Sequence, residues 1–96
     1  MRKVYLVGTK EVKFTGTGGE EEKVELLGYS DGSLEVFSSI KKAVDECRKI
    51  RRIYIEDGEW LDLSEFPEKP GLGVWYPVAY TGRYRAYLQV KLGLVE

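Results

Sequence analysis

The chain has 96 residues, of which 43% are hydrophobic and 32% are charged, and its formal net charge is −1. This length fits one domain, and this balance of residues excludes a disordered chain. The near-neutral net charge argues against a generic duplex-binding protein, whose affinity comes from neutralising many phosphates.

The composition also predicts where the protein works. No uncharged stretch is long enough to cross a bilayer, and no secretory hydrophobic segment follows Arg2 and Lys3. The single cysteine, Cys47, cannot form an internal disulfide, which predicts a reducing, cytoplasmic location. The chain has no Asn, no His and one Gln, against 15 basic and 16 acidic residues. This composition is typical of proteins from thermophiles.

Three strands are predicted in the first part of the chain. Residues 3–14 alternate between apolar and polar, and Gly8 marks either a bend or a short hairpin in this first strand. A glycine-rich turn at residues 15–19 precedes two further strands, at residues 23–29 and 33–37.

One helix is predicted, over residues 39–50, with Ser38 or Ser39 as its N-cap. Lys49, Arg51 and Arg52 would then lie at the negative end of its dipole. Five apolar residues at helical spacing form one stripe along it. They are Ile40, Ala43, Val44, Cys47 and Ile50.

Three hairpins are predicted from loops of three residues that each end in glycine: 30–32, 56–58 and 80–82. The second hairpin pairs Tyr54 with Trp60. The third begins after a linker at residues 64–73 and pairs Trp75 with Tyr87.

These elements predict an α+β fold with one domain, residues 1–96. The fold is either an antiparallel β-hairpin sheet or a partly open barrel of about six or seven strands, with one amphipathic helix. The predicted order is β-β-β-α-β-β-β-β, which shares its first part with OB-fold barrels.

The residues that usually carry chemistry are absent or poorly placed. Without His, the chain lacks the commonest general base and metal ligand, and Cys47 lies in the apolar stripe of the helix. Residues 16–19 precede three glutamates and a strand, so a hairpin turn is predicted there and a phosphate-binding loop is not. The carboxylates of residues 56–62 are interpreted as a solvated turn. We therefore predict no catalytic residue, no metal and no cofactor, although an enzyme without a sequence signature remains an alternative.

The outward side of the last hairpin is the main candidate for binding. The predicted register puts Trp75, Tyr87, Arg83 and Arg85 together on that side. A Trp–Tyr pair left in water forgoes the free energy of burying its apolar surface, so we expect another group to cover it. Three candidates could cover the pair: this chain's own linker or its Tyr54–Trp60 pair, a protein partner or second copy, and stacked bases.

The predicted function is a small non-enzymatic module that binds a protein partner, or itself, through this aromatic and arginine-rich face. Residues 91–96 continue the alternation and would let an edge strand pair with another copy. The alternative is a single-stranded nucleic-acid-binding module that uses the same aromatics and a basic helix surface. That surface consists of Lys41, Lys42, Arg48, Arg51 and Arg52.

Overall fold

A computed structural model describes residues 2–95 as one five-stranded antiparallel sheet and one helix. The sheet order is β2-β1-β5-β4-β3, so β2 and β3 are the two edges and no barrel forms. The predicted α+β class with one helix is confirmed, whereas the strand number and order differ. The elements are β1 (Arg2–Phe14), β2 (Glu20–Leu26), α1 (Ile40–Glu56), β3 (Leu61–Asp62), β4 (Tyr76–Tyr80) and β5 (Tyr84–Val95).

The core lies between α1 and one face of the sheet. Alternate residues of β5 point to this side, and the predicted helical stripe packs on them because both surfaces are apolar. Phe66, from the irregular segment between β3 and β4, also enters this core and meets Tyr76 edge-on at 5.3 Å between ring centroids. The buried cluster comprises Val7, Ala43, Val44, Cys47, Phe66, Val78, Ala79, Ala86, Leu88 and Val90.

The helix begins as predicted but ends later. Ser39 is the N-cap, and its side chain accepts a hydrogen bond of 3.2 Å from the Lys42 N–H. The helix continues to Glu56 because Tyr54, four residues after Ile50, prolongs the packed stripe. No helix within residues 2–95 combines the length and the apolar character that crossing a membrane requires.

The later end of α1 overturns the second predicted hairpin. Residues 53–56 are helical, so they cannot pair with residues around Leu61 as a strand. Gly58, just beyond the helix, has a φ of 81°, which glycine adopts freely. Its N–H donates a hydrogen bond to the carbonyl of Ile55 in the last turn. Lys49, Arg51 and Arg52 accordingly lie before the last turn, and the predicted match to the helix dipole is wrong.

The first part of the chain has two strands where three were predicted. β1 is continuous through Gly8, so the hairpin alternative there is wrong. Residues 33–37 do not form a strand and make only isolated bridges, between Gly28 and Leu34 and between Tyr5 and Phe37. The glycine that closes the 30–32 loop, Gly32, has a φ of 90°, a conformation that glycine adopts freely.

The last hairpin has a different register from the predicted one. Tyr87 faces Pro77 and not Trp75, which precedes the first residue of β4. A register shift between Pro77 and Ala79 marks a β-bulge, which turns Ala79 into the core. The bulge follows a proline, which has no N–H for the strand ladder.

The C-terminal half of β5 is an open edge among residues 2–95. Tyr5 exchanges both backbone hydrogen bonds with Phe37, so its opposite residue Leu92 directs its own N–H and C=O away from β1. No described strand pairs on that side of Leu92 or Leu94. The predicted extension of this strand is confirmed as far as Val95, and Glu96 lies outside the described residues.

Candidate functional site

The sheet face opposite α1, here called the open face, has no helix over it. Strand pairing arranges its side chains in rows that run across the sheet. Four successive rows are Leu26–Gly8–Gln89, Val24–Lys10–Tyr87–Pro77, Glu22–Val12–Arg85–Tyr80 and Glu20–Phe14–Arg83, with Leu61 extending the third. The open face therefore combines aromatic, aliphatic and charged side chains.

Trp75 and Tyr87 lie together on the open face, on either side of a lysine. The Lys10 ammonium is 4.9 Å from the centroid of the Trp75 ring and 4.7 Å from that of Tyr87. A ring face attracts a cation within about 6 Å. The two aromatic residues are thus neighbours through Lys10 and not a cross-strand pair, and Lys10 was not a sequence candidate.

The Trp75 ring is positioned by the backbone beside it. Gln89, only 8% exposed, donates a hydrogen bond of 2.9 Å from its Nε2 to the Gly73 carbonyl. The Gly73 N–H in turn bonds to the Val90 carbonyl. A Cβ atom added to Gly8 would lie 3.1 Å from Cη2 of Trp75, so the indole fits over a position without a side chain.

The two candidate arginines lie at the far end of the open face. The Arg85 guanidinium is 5.6 Å from the centroid of the Phe14 ring, and Phe14 donates its N–H to the Arg83 carbonyl. Both arginines are exposed. Alternation along β5 predicted their side of the sheet, but their contact with Phe14 depends on the pairing of strands distant in sequence.

Several large apolar side chains on the open face remain exposed. Val24 is 54% exposed and Leu61 is 57% exposed, although both lie on strands. The linker does not cover them, because its Phe66 packs into the core on the helix side. The other exposed apolar residues of this face are Phe14, Leu26 and Tyr80.

Tyr54 and Trp60 lie on the helix side of the sheet and do not join the open face. Their rings meet edge-on with centroids 4.9 Å apart, and Tyr84 lies 6.2 Å beyond Trp60. The Tyr54 hydroxyl donates to Glu11 Oε1 at 3.0 Å, and burial together with that carboxylate raises the pKa of Tyr54. The structure therefore separates the six candidate residues into two surfaces.

The basic helix surface is also on the opposite side of the sheet from Trp75. Arg48 donates two hydrogen bonds of 3.3 Å to the Phe66 carbonyl. Arg51 donates to the Ser64 carbonyl and pairs with Asp62. These two arginines fasten the segment after β3 to the helix, and they do not extend the open face.

The groups with potential chemistry are held in structural contacts. Cys47 is buried, and desolvation, with a smaller effect of Glu46, raises the pKa of its thiol to about 12. Asp57 accepts a hydrogen bond from the Glu59 N–H at 2.9 Å. Residues 2–95 contain no group of three or more His, Cys, Asp or Glu side chains arranged to hold a metal ion.

No family model matches this chain, and neither the curated proteins nor the solved structures include one with significant similarity to it.

Proposed function

We propose that this chain is a small non-enzymatic interaction module that docks a protein onto its open face. The observation that carries the proposal is the exposed aromatic and aliphatic surface on the sheet side that α1 leaves uncovered. Several large apolar side chains exposed on one face of a sheet favour a protein interaction site. Trp75, Tyr87 and Arg85 are of the residue types that dominate the binding energy of such interfaces.

The open face has about the size that a protein interface needs. The five strands contain 39 residues in total, and at about 3.3 Å per residue and 4.8 Å between strands they cover roughly 600 Å² in projection. Side chains roughen this surface, so its accessible area approaches the about 800 Å² that each partner buries in a standard interface. A peptide or a small ligand would leave much of it exposed.

Single-stranded nucleic acid is the second candidate, because the charge of the open face favours it. Five cations lie on this side of β1 and β5, against Glu20 and Glu22 on β2. Aromatic rings beside cations suit stacked bases, each worth roughly 1–3 kcal/mol. The five cations are Arg2, Lys10, Arg83, Arg85 and Lys91.

Site-specific photo-crosslinking tests the protein-docking proposal. A benzophenone side chain replaces Val24 on the open face or, as the matched control, Ile53 on the helix, which is 60% exposed. Both variants are irradiated in a lysate of the source cells and as purified protein. We expect protein adducts from position 24 and none from position 53. Equal adducts from both positions, or none from position 24, would contradict the proposal.

Titration of a fluorescent single-stranded oligonucleotide at several salt concentrations separates the two candidates. The nucleic-acid candidate requires binding at low salt that weakens steeply as salt is added. The protein-docking proposal predicts no such binding. Oligonucleotide binding that the change Tyr87→Ala removes would replace the protein partner with nucleic acid.

A further inference from the structure

We infer that the partner of the open face is a second copy of this chain, packed face to face as a two-sheet sandwich. This inference rests on the proposed function and names its partner. It starts from four charges that flank the end of β1. Glu20 and Glu22 lie beside it on β2, and Arg83 and Arg85 lie beside it on β5.

These charges stand at matching levels along β1. Val12 is opposite Glu22 on one side and Arg85 on the other. In the next row, Phe14 pairs with Glu20 and donates its N–H to the Arg83 carbonyl. In each row a carboxylate therefore lies on the β2 side of β1 and a guanidinium on the β5 side, with an apolar residue of β1 between them.

None of the four charges is paired within the described chain. The ion pairs of residues 2–95 are Lys23–Glu25 and Arg51–Asp62. The carboxylate and the guanidinium of each row stand two strand spacings apart, about 10 Å, and no ion pair joins them across the residue between. The charges are thus free to meet a partner.

A two-fold axis that runs along β1 satisfies both rows at once. Rotation about this axis keeps the level along the strand and exchanges the two sides, so β2 of each copy lies over β5 of the other. Glu22 then meets Arg85 of the second copy, and Glu20 meets its Arg83. Symmetry repeats both contacts, which makes the interface self-complementary. Sheets that pack in this aligned manner keep their strands within about 30° of each other.

The same axis matches large side chains with small ones. Tyr87 lies on the β5 side of its row and Val24 on the β2 side, so the axis places the ring of each copy over the valine of the other. Lys10 leans toward the two rings and so lies over β2 of the second copy, where Glu22 is two residues from Val24. The central cation is therefore within reach of a carboxylate.

Charge exchange tests the inference. One variant carries Arg83→Glu and Arg85→Glu, and the other carries Glu20→Arg and Glu22→Arg. Each variant alone places like charges against each other, whereas a mixture of the two restores opposite charges at every contact. We expect sedimentation to show the wild type at twice the 11.0 kDa chain mass. The dimer dissociation constant of each variant alone should rise at least about 10-fold, and mixing the two variants should restore the dimer.

The inference is overturned if both variants dimerise like the wild type, or if mixing them gives no recovery. Circular dichroism checks that each variant folds, and the single changes Arg85→Glu and Glu22→Arg carry the same test if a double variant does not. Leu94→Lys is the control for pairing through the open edge of β5. A dimer that only Leu94→Lys disrupts would also overturn the inference.

The outcomes distinguish this inference from the proposed function. A monomeric wild type that still crosslinks another protein from position 24 leaves the proposed function intact and removes the second copy as its partner. A monomeric wild type with no adduct from position 24 contradicts both.

Discussion

Lys10 and Tyr87 face each other directly across the central strands β1 and β5, with the ammonium 4.7 Å from the centroid of the phenol ring. The same ammonium lies 4.9 Å from the centroid of the Trp75 ring. One cation thus joins two aromatic side chains that come from different segments. Lys10 therefore covers part of both rings on the open face.

Removing the Lys10 side chain should expose the Trp75 indole. In a Trp60→Phe background, where emission comes from Trp75 alone, Lys10→Ala should raise the acrylamide quenching constant. The lost cation–π contacts should lower the free energy of unfolding by about 0.5–1 kcal/mol. Lys23→Ala is the control, because Lys23 pairs with Glu25 and not with a ring. Equal quenching in both variants would show that Lys10 does not cover the indole.

A side chain at Gly8 should disturb the support of Trp75. The Cβ of Gly8→Ala would lie 2.9 Å from Gln89 Oε1 and 3.1 Å from the indole, so both must move. We expect a loss of about 1–3 kcal/mol in urea unfolding, together with a shift in Trp75 emission. A Cβ at Gly16 meets nothing within 4 Å, so Gly16→Ala should change neither quantity appreciably. Equal stabilities for the two variants would contradict the close packing at Gly8.

The sequence predicted which face of the sheet a side chain lies on better than it predicted which residues contact each other across strands. Alternation along β5 correctly placed Tyr87 and Arg85 outward, because side chains in a strand change face at every residue. It did not predict that Lys10 or Phe14 would contact them, since that depends on β1 pairing with β5 from the other end of the chain. Local patterns contain no information about such pairing.

The misassigned hairpin after the helix has a physical cause. Glycine after acidic residues is a signal both for a hairpin loop and for the end of a helix, because both need a left-handed backbone. Gly58 ends α1, and Tyr54 at helical spacing from Ile50 was the signal that favoured the helix. The bulge between Pro77 and Ala79 has a similar effect, because it shifts the register of β4 and so changes which side chains of that strand point inward.

Phe66 should be among the most important residues for stability. It is fully buried in a segment without regular structure, and it packs edge-on against Tyr76. Phe66→Ala should lower the free energy of unfolding by about 3–5 kcal/mol, measured by urea denaturation. Leu63→Ala, at an exposed position three residues earlier, should cost much less. A small effect of Phe66→Ala would mean that this segment does not anchor the core.

The thiol of Cys47 should make stability depend on alkaline pH. Burial raises its pKa from about 9.0 to about 12, so between these values the unfolded thiol ionises while the folded one remains protonated. The stabilising contribution is complete below pH 9 and declines as pH rises toward 12, by up to about 1.4 kcal/mol per pH unit. Denaturation at several pH values should show a shallower alkaline decline for Cys47→Ala. Identical pH profiles would contradict a buried, protonated thiol.

The most direct test of the central claim is an isotope-filtered nuclear Overhauser experiment on a mixture of labelled and unlabelled wild-type protein. Val24 and Tyr87 stand on opposite sides of Lys10 in one row, about 10 Å apart within a chain. Only contact between two copies brings the methyl groups of one against the ring of the other. We predict an intermolecular signal between Val24 and Tyr87. Intermolecular signals confined to Leu92 and Leu94, or none at millimolar concentration, would contradict the claim.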